Sequence, residues 1–436
     1  MVGGAMELDG LHLTDTLKYK LFIRRRFLPM FLSIFLGVFN DNLIRSGLVV
    51  MITYAAQHNI SLSMQPEILV TICYGLLVLP MVLFSSIAGE LADKYEKSRL
   101  VVYTKIAEVF IVLGASYGFY YHDIPFLMVI LFISGTHSAF NVPIKFSILP
   151  QHLKKEELLA GNGFIASGTY LGILAGMIAG GLIIESPNNL IGTVAIIVSI
   201  IGLIASLYIP LAPSTHPETK ISFNLWKGSL SIMNHARRDE TLIRTILALS
   251  WFITVGSIYI SQFANYARGV MHADNEVYIL FLTVFSVGIA IGSLLCDTLL
   301  KSQISTRFTP FAAIGIALFT GLMVLFTPAP MTEGLMNVTE FFSVTSHLLI
   351  LTCMLMVAIC GGLYIVPLYA LLQSRTVPSH RSQIIAASNL SDSLSMTLSA
   401  IISAVLLSYG LGVKDLFIIV AFLTLAVAWY VRKIVA

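Results

Sequence analysis

The stretch FLGVFNDNLIRSGLVVMITY (35–54) carries Asp41 and Arg45 four residues apart inside an apolar run, flanked by Asn40 and Asn42. On a helix the two side chains share one face a single turn apart. The carboxylate can hold the guanidinium or attract a cation, and the guanidinium's planar fork suits a phosphate. Lys145, in another apolar run, would add a second phosphate donor. Charges set in lipid cost several kcal/mol, so such residues face a bundle interior or cavity. Asn42, Asn141, Gln262, Asn265, Gln373 and Asn389, with His137 and Asp392, add polarity in other apolar runs and could complete a lining for a polar head group. Lys105 and Glu108, three residues apart, read as a self-neutralising pair whose lysine snorkels inward.

The elements that position these residues follow from composition. Of 436 residues, 57% are hydrophobic and 11% charged, against about 25% charged in a soluble domain. Apolar runs of about 20 residues recur from Leu28 to Val435 and predict twelve membrane helices. The net charge of +3 is mild and no basic face is clustered, which excludes nucleic-acid binding. The four cysteines sit in apolar runs without metal-ligand spacing, so no metal is expected. The first apolar run is too long for a cleavable signal peptide.

With the N-terminus inside, 21 of the 26 lysines and arginines fall on the cytoplasmic side, which predicts a multi-pass inner-membrane protein with both termini cytoplasmic. The expected organisation is a cytoplasmic segment 1–27, a six-helix bundle 28–211, a cytoplasmic linker 212–241 and a second six-helix bundle 242–436. The linker stretch FNLWKGSLSIMNHARR (223–238) has the spacing of a helix lying on the membrane surface or of a plain linker helix. A shift of 224 residues lays FND (39–41) on FAN (263–265) and VPIKFSIL (142–149) on VPLYALLQ (366–373), and so pairs Asp41 with Asn265. Two related halves suggest a secondary transporter with its site between them.

GELADKYEKSR (89–99) resembles the signature loop of the major facilitator superfamily, with Glu96 in place of its second glycine. The resemblance implies an all-α membrane fold of twelve helices in two pseudo-symmetric six-helix bundles. It also implies a cytoplasmic gate motif of Gly89, Asp93, Lys97 and Arg99, whose aspartate can meet a helix N-terminus or a basic residue when the gate is closed. SLLCD (293–297) looks like a decayed second copy. Gly168, Gly172, Gly176 and Gly180 lie four apart on one face of span 5, and Gly288 and Gly292 do so on span 8. These smooth stripes predict that spans 5 and 8 meet there. GILAGMIAGG resembles the antiporter motif of drug exporters, with Met177 where that motif has proline.

Across nearly the whole chain, the opening stretch together with AGELADKYEKSR, FNVPIKFSILPQHL, SWFITVGSIYISQFANYARGVMHADNE and GGLYIVPLYALLQ is similar to the bacterial lysophospholipid transporters, in particular the transporter module fused to acyltransferases. That resemblance implies alternating-access import of lysophospholipids, chiefly lysophosphatidylethanolamine, for reacylation. Substrate and membrane lipids are then the partners, with a separate cytoplasmic acyltransferase as a further one, since the chain ends just after span 12. No His-x4-Asp acyltransferase pair and no phosphate-binding Gly-x4-Gly-Lys-Ser/Thr loop occurs, so no enzyme is expected. No cofactor is expected either; a coupling ion, sodium or proton, is not chosen by the sequence. The alternative is a transporter of a small soluble molecule such as a drug or siderophore; midplane charges argue against a scaffold or receptor.

Overall fold

Apolar segments that cannot bond their backbone to water must close that bonding within themselves, and in this chain they do so as helices. The computed structural model describes residues 21–53, 66–184, 190–219, 221, 233–234, 236–328 and 335–434. Most of the predicted surface helix in the linker, 223–232 and 235, lies outside them. The long helices are α1 (Leu28–Thr53), α2 (Pro66–Lys94), α3 (Lys97–Tyr120), α4 (Ile124–His152), α5 (Leu158–Ile183), α6 (Leu190–Leu207), α7 (Glu240–Asn265), α8 (Asn275–Leu299), α9 (Thr309–Leu325), α10 (Thr345–Arg375), α11 (Arg381–Ser408) and α12 (Val413–Val431). Eleven of the segments are long and apolar enough to span a membrane; Thr309–Leu325 is a shorter apolar helix.

Helix starts are written in the sequence. Asp123, Asp239 and Asp274 each accept backbone N–H bonds at the first turn of α4, α7 and α8. The α11 start has no side-chain cap from its own flank.

Packing repeats with a period of six helices. The pairs α1·α5, α2·α4 and α3·α6 recur as α7·α11, α8·α10 and α9·α12, and the contacts α5·α8 and α4·α11 recur as α2·α11 and α5·α10. This is the two-bundle, pseudo-twofold all-α fold expected above. The outer helices turn apolar stripes outward at helical spacing, with Ile197, Ile201 and Ile204 on α6 and Ile418, Phe422, Leu425 and Trp429 on α12.

The two internal matches fare differently. α4 and α10 correspond along their lengths, so VPIKFSIL and VPLYALLQ occupy like positions. Asp41 lies midway along α1, whereas Asn265 is the last residue of α7. The pairing of these two is therefore corrected: α7 starts at Glu240, about three turns too early for a 224-residue shift, and the triplet match is accidental.

Candidate functional site

Asp41 accepts hydrogen bonds from Ser134 Oγ at Oδ1 and Ser138 Oγ at Oδ2, both at 3.0 Å. These serines stand one turn apart on α4 and face α1. Arg45 turns elsewhere, donating to Asn42 Oδ1 and lying 5.8 Å from the Tyr74 ring centroid. The expected Asp41–Arg45 pair does not form. Four residues advance a helix by about 40° beyond a full turn, enough to aim the two side chains at different neighbours once α4 supplies hydroxyl donors. Asn42 itself bonds Val38 O at 2.8 Å, and Asn40 reaches Ala195 O on α6 at 3.1 Å.

Asp41 instead shares a cavity of about 100 Å³ with Lys105, His137, Asn141 and Lys145, enclosed by α1, α3, α4 and the chain after α6. Lys145 Nζ is 3.4 Å from Thr169 Oγ1 and 4.9 Å from the Phe146 ring centroid. Lys105 Nζ bonds Glu108 Oε2 at 2.6 Å with both side chains buried, so the lysine does not snorkel. Gly37 explains the burial: it leaves room on α1 for the Lys105 ammonium, which would lie 2.7 Å from a Cβ there. His137 Nε2 sits 3.0 Å from Thr104 O, 3.0 Å from Asn141 Nδ2 and 4.0 Å from Glu108 Oε2.

Four residues expected at the same site lie apart from it. Gln262 and Asn265 bond one another at 3.0 Å at the far end of α7. Gln373, at the end of α10, exchanges hydrogen bonds with Asn162 of α5, and Asn389 of α11 donates to Ser85 of α2 at 2.9 Å. The last two tie the halves together; each helix had to place its polar residue, and length along the helix decided which face it reached. Asn162, Ser85, Ser134 and Ser138 escaped the sequence reading, although a polar residue inside an apolar span was the signal available.

The face on which α1 begins is closed. Asp93 of α2 accepts from the backbone N–H groups of Ser382 at 3.0 Å and Gln383 at 3.2 Å, and so caps α11 from across the interface. Gly89 permits this approach, since a Cβ there would stand 3.0 Å from Gln383 Cα and Ser382 O. The Asp93 carbonyl accepts in turn from Thr215 and His216, and Lys97 Nζ bonds Thr215 Oγ1 at 3.1 Å. Arg99 is the exception: it is exposed and pairs with Glu96 at 2.7 Å. The Phe146 and Tyr369 rings stack across the same interface, with centroids 4.4 Å apart.

The glycine stripes are corrected as well. Gly168, Gly172, Gly176 and Gly180 abut Phe31, Phe35, Phe39 and Leu43 of α1, while Gly288 and Gly292 abut Leu355 and Ile359 of α10. Two rows with a period of four interlock, which makes each stripe an intra-bundle contact. α5 and α8 do meet, at Gly163 against Ser293 and through Ser167 Oγ to Ala290 O at 2.9 Å.

All four cysteines are buried and free, and among the described residues no cluster could hold a metal.

A twofold-repeated helical fold with charged side chains buried inside its bundles, Asp41 and Lys105 in the first and Asp392 in the second, is that of a membrane transporter. The sequence profile of the Major Facilitator Superfamily matches residues 30–345, and the chain belongs to that superfamily. It is similar to the "Lysophospholipid transporter LplT" of Serratia proteamaculans (strain 568), 25% identical over 385 residues that cover 86% of this chain and 87% of the relative. The relative's name is that of a transporter, in keeping with a chain that is not an enzyme. Among solved structures, the human organic anion transporter MFSD10 (TETRAN) superposes with a TM-score of 0.74 at 11% identity, covering 94% of this chain and 99% of the other. A bacterial homologue of the iron transporter ferroportin in an outward-facing state superposes with a TM-score of 0.67 at 14% identity, covering 94% and 98%.

Proposed function

We propose that the protein is a lysophospholipid flippase of the bacterial inner membrane, moving chiefly lysophosphatidylethanolamine by alternating access to supply a cytoplasmic acyltransferase. The observation that carries this reading is Lys145. Its ammonium lies deep in the bundle and, among the described residues, makes no ion pair; its neighbours are a hydroxyl and an aromatic ring. Such a cation offers an anion a strong, water-poor contact. Asp41 in the same cavity suits the ethanolamine ammonium, and Arg45 gives a second phosphate contact nearer the opposite face. The lysophospholipid transporter named above supports the substrate class.

In this reading the bundles 28–211 and 242–436 rock against each other, segments 1–27 and 212–241 are cytoplasmic, and the closed face is the cytoplasmic one; the lysine and arginine distribution supports that orientation. A coupling ion acts at the same cavity.

Purified protein in liposomes tests the proposal, with lysophosphatidylethanolamine, lysophosphatidylglycerol and a soluble organic anion offered in turn. Lys145→Ala should slow lysolipid movement about tenfold or more, since a hydrogen bond to a charged group contributes about 1.5–3 kcal/mol, and Lys145→Arg should restore part of it. Movement of the soluble anion without any lysolipid would replace the reading with the soluble-substrate alternative.

A further inference from the structure

We infer that His137 is a proton-carrying site that couples transport to a pH difference, taking the proton at Nδ1; the inference rests on the transporter reading of the same cavity.

The geometry starts with the other ring nitrogen. Nε2 lies 3.0 Å from the carbonyl oxygen of Thr104, which can only accept, so Nε2 carries a hydrogen. The Asn141 amide beside it meets that hydrogen with its oxygen after a flip that leaves its shape unchanged. Nδ1 is then left with a bare lone pair, buried and without a partner. Glu108 Oε1 is likewise buried and unpartnered, while Lys105 occupies Oε2. A buried acceptor beside a half-satisfied carboxylate is costly unless a proton or water serves it.

Water has room beside it. The cavity that His137 lines, about 100 Å³, holds roughly three waters at about 30 Å³ each. Its wall continues through Val101, Ile148 and Ile209 toward the closed face.

The charges around the ring are balanced without it. Facing it are Asp41 from α1, Lys105, Glu108 and Tyr103 from α3, and Lys145 further along α4, while α2 presents Ala88 and Leu91. Two carboxylates and two ammonium groups sum to zero, so a proton on His137 adds the one net charge. That charge lies within electrostatic range of Asp41, as does Glu108. An imidazolium therefore adds to the positive charge that Lys145 already offers an anion in this cavity. Proton and anionic head group bind together. The proton is taken from water on one face and returned to water on the other, with no other bond changed.

The test reads the end point of lysophosphatidylethanolamine movement in liposomes, so that a slower variant is still judged. With one proton per lipid, a gradient of one pH unit shifts the leaflet ratio about tenfold. In His137→Gln, or His137→Asn where glutamine does not fold, the ratio should stay near one at every gradient. A parent protein that equalises the leaflets regardless of pH overturns the inference and leaves the transport reading standing. If the parent moves no lysolipid, the transport reading fails. Spin labels on α2 and α11 across the closed face then decide: a pH-dependent distance lost in the His137 variant supports the proton site, and an invariant distance overturns it.

Discussion

Asn162 and Gln373 exchange two hydrogen bonds across the interface between the bundles, 2.7 Å from Asn162 Nδ2 to Gln373 Oε1 and 3.0 Å from Gln373 Nε2 to Asn162 Oδ1, with both side chains buried. Neither amide has water to fall back on while the face is closed. Each is satisfied chiefly by the other half of the molecule.

Removing one partner should therefore hurt more than removing both. Asn162→Leu strands the Gln373 amide at a cost of about 1–3 kcal/mol and should open the face, whereas Asn162→Leu with Gln373→Leu should recover much of the closed population. Double electron–electron resonance between α5 and α10 measures the two populations. Equal opening in the single and double variants would show that the pair does not latch this face.

Asp93→Asn keeps the shape at the α11 N-terminus and removes the charge. The loss of about 1–2 kcal/mol should shift the open-to-closed ratio by about five- to thirtyfold and slow cycling, with lysolipid affinity largely retained. Binding and distance measurements on the same purified variant check this; weakened binding with unchanged distances would place Asp93 in the pocket.

Because Asp41 and Arg45 reach different partners, their substitutions should act independently. Asp41→Asn and Arg45→Ala are each expected to impair transport, and the double variant should show the sum of the two within about 0.5 kcal/mol. A large coupling energy would mean that the pair closes at another stage of the cycle.

Gly176→Leu should disable the protein by prising α5 from α1, since even a Cβ at this position overlaps the Phe39 carbonyl. Cysteine pairs placed where a Cβ fits discriminate the packing: Gly181→Cys with Ser46→Cys should crosslink α5 to α1, and Gly181→Cys with Val287→Cys should not.

The twelve helices were legible because span length and apolar content are set by the bilayer and need no knowledge of neighbours. The α2–α3 loop was legible for a related reason: its glycine, aspartate and lysine lie within one short segment. Partners were not legible. Asp41 and Arg45 are close in sequence, yet Ser134 and Ser138, 93 and 97 residues away, take the carboxylate. Helical spacing states which residues share a face; it is silent on which helix that face meets. The glycine stripe of α5 shows the same gap, since smoothness marks a close contact without naming α1 as its other side.

The α11 start, capped by a carboxylate from α2, gives the molecule a built-in clock. Whenever the bundles part on this face, the amides of Ser382 and Gln383 lose their acceptors together. Their exchange with deuterated water then counts openings directly, at a position remote from the cavity and without any label attached.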